Sequence, residues 1–599
     1  KRVNSLNALL KKLGVILQPK KFQGPNTPSS ETFHTNIDWA DDYSVESYNY
    51  FIDCPPELHV LSTMWVIAVG SLLEEHTSSE SYGWNLHKSA TDLNSLQLFK
   101  YYVPQYGKWR DQAIERARRT VSEDKKNATI VGLDLKQFYY HVAIDWDALD
   151  TIVDQADWED RPCTRAQAKR LTSIIKKICA RYREVLEETQ GKTHPNLEPG
   201  GDPLPLGLSF SPILANWLLS DFDDSVQRDL NPVYYGRYVD DLLFVVASKE
   251  LPFAADEKHP RDKFLKHYFV DRGLLTKKTN RSDEVEYQIS GYLNLTIQET
   301  KIQIHHFNPK GSLGALDRFQ NSIREIVSEF RFLPDAIPTE KLESLSFELL
   351  YDGSRHSLKS VKGFEVNRWQ LSHILSTAAA TRLFATEGKQ LKEESKALRR
   401  LLFGILGLKF YDMWEKIFAV MLLGDEHNEL KRMYWHLKKC IHAVKGLNPV
   451  TNKPDSLLTE LVQEFYFKHL DISLAMTVAL VGTDHHRIQR TWTSARDLEV
   501  LEKIGIAVMA LREANLIRHH YVGNALINFT NASGDWTAPR VNWPAIALQD
   551  NRRLNSPRFI HLDEFAQAEF LTRLGGDSEA SFADEFFETQ IGCGEEADE

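Results

Sequence analysis

Two adjacent aspartates, Asp240 and Asp241, sit in a stretch that otherwise reads as sheet: Tyr235-Gly236-Arg237-Tyr238-Val239-Asp240-Asp241-Leu242-Leu243-Phe244-Val245-Val246. The apolar β-formers around a tight turn predict a hairpin that lifts the acidic pair out of a sheet. Neighbouring carboxylates repel, which raises one pKa and costs stability unless a divalent cation sits between them and a third ligand. Asp-Asp occurs also at Asp41-Asp42 and Asp223-Asp224, where a solvated turn or helix face is the better reading. The hairpin therefore directs the search upstream, to a third acid.

That acid is Asp134, at the end of the apolar run Ala128-Thr129-Ile130-Val131-Gly132-Leu133 and just before Phe138-Tyr139-Tyr140. Alone, an aspartate at a strand end is usually a turn or cap. Between it and the hairpin lies Leu204-Pro205-Leu206-Gly207-Leu208-Ser209-Phe210-Ser211-Pro212-Ile213-Leu214-Ala215-Asn216. Its Pro and Gly fix a loop, and Pro212 suits the first turn of a helix that carries Asn216. Upstream, Lys108 to Arg119 follows a helical period with a basic face next to Tyr101, Tyr102, Tyr106 and Trp109. This face is either merely solvated or a phosphate contact through Arg110, Arg116 and Arg119.

At 599 residues the chain exceeds one core, and 42% hydrophobic with 26% charged residues is ordinary globular composition. No run approaches the roughly 18 apolar residues of a membrane helix, and Leu58 to Glu75 reads as a buried helix. No apolar signal follows Lys1, and the missing initiator Met implies a few absent residues, so a cytoplasmic protein without a membrane partner is expected. Five scattered cysteines predict neither zinc nor disulfides. A net charge of −11 confines any nucleic-acid contact to a local basic channel.

Val131-Gly132-Leu133-Asp134 through Phe138-Tyr139, Leu204 to Gly207 through Ser211 to Asn216, and Tyr238-Val239-Asp240-Asp241 resemble, in order and spacing, the three palm motifs of reverse transcriptases, over roughly residues 80 to 310. The resemblance implies an α+β fold: fingers and palm followed by a large all-α, helical-repeat-like domain. It also implies an RNA-directed or template-independent DNA polymerase using two Mg²⁺ ions, with Mn²⁺ able to substitute. Carried over by motif, Asp134, Asp240 and Asp241 are the catalytic acids and, with Leu135, the metal ligands. Tyr139 would lie under the incoming sugar and exclude a 2′-hydroxyl, with Leu206, Gly207, Arg110 and Arg116 also at the nucleotide. Tyr238, Val239 and Arg237 would face the primer, Arg237 being equally readable as a plain salt bridge. Two lysines compete to protonate the leaving pyrophosphate: Lys278, at the more usual distance from the hairpin, and Lys301, in the better strand pattern and slightly favoured.

Departures narrow the type. Leu206 stands where templated enzymes usually carry Gln, and no Val-Thr-Gly follows the palm region. Ser81-Tyr82-Gly83-Trp84-Asn85-Leu86 with Lys100-Tyr101-Tyr102-Val103-Pro104 resembles the fingers of bacterial "unknown group" enzymes that defend against phage. The later chain offers candidate helices at Leu316–Phe330, Asn367–Phe384, Lys389–Phe403, Phe410–Leu423, Glu429–Val444, Ser456–His469, Ile472–Val481 and Asp497–Glu513. Together with a Cys593-Gly594-Glu595 close, these are similar to abortive-infection reverse transcriptases of the AbiK type.

That resemblance implies an N-terminal extension (1–57), a fingers and palm domain (58–310), a helical domain (311–574) and an acidic tail (575–599). It implies deoxynucleoside triphosphates as substrates and a nascent DNA, primed from a protein tyrosine with little or no template, in homo- or hetero-oligomers. Alternatives are a retron-like enzyme copying a noncoding RNA or working with a companion reverse transcriptase, and an idle palm serving assembly. Arg512 with His519, and the His pairs at 305–306 and 485–486, read as packing rather than sites.

Overall fold

The computed structural model describes residues 6–22, 43–87, 98–100, 102–190 except 160 and 162, 197, 201–310 except 255, 256, 280–284 and 293, isolated positions and two strands between 314 and 378, 391–481 except 450, and 491–501. Asp41-Asp42, Tyr101, most of 316–330 and 367–384, His485-His486, Arg512, His519 and the acidic tail lie outside them. The fold is α+β, in two compact units: Lys1–Gly14 with Glu57–Ile323, and Val15–Pro56 with Arg324–Glu599. Residues 1–57 are therefore not a module of their own.

In chain order the described strands are β1 (Gly14–Phe22), β2 (Tyr43–Asp53), β3 (Asn127–Asp134), β4 (Tyr234–Tyr238), β5 (Asp241–Ser248), β6 (Leu275–Thr279), β7 (Val285–Ile289), β8 (Gln303–Phe307), β9 (Phe347–Tyr351), β10 (Val361–Val366), β11 (Val444–Leu447) and β12 (Pro454–Asp455). The first unit is built on a four-stranded antiparallel sheet in the order β4-β5-β3-β8. The helix Tyr102–Ser122 seats on it through Ala113, Ala117 and Val121, spaced four apart on one face, against Ala128, Ile130, Tyr234 and Val245. Small alanines let the helix come close, and Arg116 and Arg119 of the same helix are left exposed. The helix Phe210–Leu218 buries every residue from Phe210 to Asn216.

Among the described residues one helical run, Pro56–Glu74, is long and apolar enough to span a membrane, contrary to the expectation that none would be. It is 78% buried inside the protein, as a core helix is, with Leu58, Trp65 and Leu73 fully enclosed.

The second unit is not all-α, and this corrects the expectation. Its sheet runs β1-β2-β11-β12, with β2 parallel to β11 (Tyr43 opposite Val444) and β11 antiparallel to β12, while β9 and β10 form a separate hairpin. Two strands come from the N-terminal stretch, and a four-residue strand is too short to show a period. Gly446 is required in β11, since a Cβ there would lie 2.5 Å from the Leu458 carbonyl carbon. Ser456–His469 and Ile472–Val481 form one helix, Ser456–Val481, because Asp471 between them accepts a hydrogen bond from Tyr434 Oη (2.7 Å) and does not cap a new helix. The helix Trp414–Leu423, apolar except for Glu415 and Lys416, is almost wholly buried.

Candidate functional site

The register of β3 and β5 places Asp134 directly opposite Asp241, and Tyr238 opposite Asp241 closes β4 and β5 around a two-residue turn, Val239-Asp240. Val239 takes φ +60°, a left-handed conformation costly for a β-branched residue, and is buried. The Leu135 amide donates to the Asp240 carbonyl (3.1 Å), which ties the end of β3 to the turn. Leu135 thus acts here through its main chain as a brace, with its side chain buried.

Like charges opposite each other destabilise a sheet, so the cluster needs a cation. Lys301, in the short helical turn Glu299–Lys301, supplies one: its Nζ lies 2.8 Å from Asp134 Oδ2. Burial first, then the Asp240 and Asp134 charges, push the Asp241 carboxyl up to about 7, with Lys301 pulling the other way. The folded value is thus above the ordinary 3.9 or so of the unfolded chain, and the folded state holds an extra proton between them. Stability from this group is full below about pH 4 and is lost as the pH rises through about 7. A Tm profile should fall over that window in the parent and flatten in Asp241→Asn; identical profiles would contradict the clustered geometry.

Behind the turn, Arg237 is wholly buried with Asp223. Its Nε and Nη2 donate to Asp223 (3.0 and 2.7 Å), Nη1 to Asn216 Oδ1 (3.1 Å) and the Val239 carbonyl (3.2 Å), and Nη2 also to the Asn216 carbonyl (3.0 Å). Every guanidinium N–H is thereby used. Tyr235 Oη donates to the same carboxylate (2.5 Å), and Asn216 Nδ2 donates to the Gly83 carbonyl (2.6 Å). Arg237 is therefore a structural ion pair and not a primer contact, and Asp223 is a buried anchor, not the solvated acid it resembled. Gly83 lies against the turn, where a Cβ would come within 2.8 Å of Val239 Cγ2. The flanking residues pair along β4: Arg237 N–H donates to the Glu80 carbonyl and Tyr82 N–H to that of Arg237, both at 2.8 Å.

Tyr238 packs edge-on to Tyr106 (5.2 Å) and against Trp109 (5.9 Å). Burial, then Asp241, push the Tyr106 phenol up, and Arg110 pulls it back, so these groups share one electrostatic neighbourhood. Tyr139 is there too: burial first, then Asp240 and Tyr238, raise its phenol. Its carbonyl accepts from the Leu204 amide (2.8 Å), which brings the Leu206-Gly207 loop alongside, with Gly207 at φ +112°.

The arginines divide. Arg110 has a side chain only 11% exposed, pairs with Asp111, and keeps a buried Nη1 without a hydrogen-bond partner among the described residues. Arg116 and Arg119 instead line an open polar cleft of about 460 Å³ with Glu80, Gln112 and Glu115, which includes none of the three aspartates. Lys278 is exposed on β6 opposite Glu286 of β7, with no contact to the cluster. His306 Nδ1 bonds Thr129 Oγ1 (2.9 Å), and burial lowers both His305 and His306, as suits sheet packing.

Among the described residues, no group of three or more His, Cys, Asp or Glu side chains is arranged as a metal cage. Mg²⁺ does not ask for one. It is commonly held by one or two carboxylates together with substrate phosphates, and the opposed, hard oxygen ligands of Asp134 and Asp241 fit that requirement. If so, Mg²⁺ should raise the Tm of the parent at about pH 8 and not that of Asp134→Ala. An equal shift in both would place the ion elsewhere. No protein-family model matches this sequence, and no curated protein matches it.

Proposed function

We propose that the first unit is a nucleotidyl-transferring DNA polymerase of reverse-transcriptase type that extends DNA from deoxynucleoside triphosphates. The observation that carries this reading is the strand register that opposes Asp134 to Asp241, with Asp240 beside them in a left-handed turn. Such an arrangement costs stability and is retained where chemistry uses it. Mg²⁺, when bound, lowers the pKa of the attacking hydroxyl and offsets charge on the triphosphate.

The chain's own residues do the rest. Asp134 and Asp241 would hold the cations, while Leu135 and the Arg237 network brace the turn. Arg110 Nη1, buried and without a hydrogen-bond partner among the described residues, suits a phosphate oxygen. Tyr139, half-buried near Asp240, suits the place under the sugar where a 2′-hydroxyl is excluded. Lys301, at the cluster, is placed to protonate the departing pyrophosphate, and Lys278 is not. Lys301→Ala should therefore slow incorporation by about 10²–10⁴-fold, the range for losing a general acid, with Lys278→Ala near the parent. The reverse ranking would reassign the role.

The resemblance of Ser81 to Leu86 and of the later helices supports a setting in antiphage defence, with synthesis started from a protein hydroxyl. The test is incubation with Mg²⁺ and each labelled deoxynucleotide, without primer or template, and with products run before and after protease and RNase. Label that leaves the protein only on proteolysis supports protein priming. Label that depends on RNase-sensitive RNA supports the templated alternative. No incorporation under any condition ends the polymerase reading.

A further inference from the structure

The cleft of about 460 Å³ that Arg116 and Arg119 line contains none of Asp134, Asp240 and Asp241. One wall is a single face of the helix Tyr102–Ser122: Gln112, Glu115, Arg116 and Arg119 recur at spacings of three and four, which stacks them in one stripe. The other polar lining groups include Glu80, Tyr82 and Gln227. Tyr82 Oη donates to Gln112 Oε1 (2.5 Å), so the amide oxygen is engaged and its N–H groups remain as donors. Arg119 pairs with Glu115 one turn away, and both are exposed, so a ligand can take over that contact at little cost. Among the described residues, no carboxylate takes up Arg116. Glu80 is the reverse case: burial, then the Asp223 charge, push its carboxyl up, and a hydroxyl donated to it would relieve it.

These groups discriminate between ligand classes. Two guanidinium groups a turn apart suit one phosphate, but Glu80 and Glu115 among them would repel a triphosphate or a nucleic-acid backbone. A carboxylate instead accepts from the hydroxyls of a ribose, and the Gln112 and Gln227 amides suit the mixed donor and acceptor edge of a base. The volume falls in the range of roughly 300–1,000 Å³ usual for small-molecule sites. We propose that this cleft binds a ribonucleoside monophosphate, whether or not the carboxylate cluster polymerises.

The test is isothermal titration of the full chain with adenosine, guanosine, cytidine and uridine 5′-monophosphates, their 2′-deoxy forms and inorganic phosphate. EDTA is present throughout, so that no divalent ion bridges a phosphate to the aspartates. At least one ribonucleotide should bind, more tightly than its deoxy form and than phosphate alone. Arg116→Ala, at an exposed position, should weaken it by about ten- to a hundredfold, the range for losing a hydrogen bond to a charged group. Glu80→Gln should bring the ribo and deoxy forms together in affinity, a change that a merely structural role for Glu80 would not produce. Affinity should be unchanged in Asp241→Asn, which separates the cleft from the polymerase reading. Binding of no nucleotide, affinity unaffected by Arg116→Ala, or loss of binding in Asp241→Asn would overturn the proposal. So would inorganic phosphate bound as tightly as any nucleotide.

Discussion

Asp241→Asn is expected to abolish nucleotide incorporation, to about a thousandth of the parent rate or below, while making the protein more stable at about pH 8. The two effects share one cause. Asp241 faces Asp134 across the sheet and lies beside Asp240, with one lysine to offset them. Removing a charge from that cluster relieves repulsion that the folded state alone bears, a gain of about 1 kcal/mol or more above pH 7. The same change removes an anionic oxygen that a divalent cation requires, and several kcal/mol of transition-state stabilisation is a factor of about a thousand in rate. Steady-state incorporation and thermal unfolding, run on one preparation, check both halves. A variant that loses activity and also unfolds earlier would show that the carboxylate is part of the scaffold.

Arg237→Ala is expected to destabilise the first unit by about 3–5 kcal/mol. The deletion leaves Asp223, wholly buried, without its counter-charge, and strips partners from the Asn216 and Val239 carbonyls at once. Arg237→Lys should recover little, since an ammonium cannot reproduce the fork that meets Asp223, Asn216 and Val239 together. Replacing Arg237 and Asp223 jointly with apolar residues of similar volume should cost far less than either single change, because no orphan charge remains. The measurement is the denaturant midpoint followed by tryptophan emission. A loss below about 1 kcal/mol for Arg237→Ala would mean that the pair is dispensable to folding.

The acidic hairpin was legible because a short-range pattern encodes it: β-formers, two acids and β-formers again make one turn with little help from elsewhere. Asp134 was legible through its own strand, although only the register shows it opposite Asp241 rather than Asp240. Arg237 was ambiguous for a physical reason. An arginine inside an apolar strand requires a buried partner, but the partner is 14 residues back in a helix, among acids that look alike in sequence. Asp223 and Asp224 differ only in the side of the helix they face, and one of them is fully buried. Arg110 and Arg116, six apart on one helix, point about 120° apart around its axis, so the first is buried and the second opens onto the cleft. The strands of the second unit were invisible in prospect because β2 finds its partner in β11, nearly four hundred residues later.

That pairing has a consequence for how the chain is made and how it can be cut. At about 5–20 residues per second, β2 leaves the ribosome roughly 20–80 s before β11 exists to receive it. Through that interval the strand is an open edge, while the first unit has all its sequence and can fold in between. Apart from Lys1–Gly14, the whole of the first unit lies between the two pieces of the second. A fragment started at Arg324 would then expose the β11 edge that β2 normally covers. A soluble version of the second unit should instead join residues 15–56 to 324 onward through a flexible linker, with the intervening unit removed.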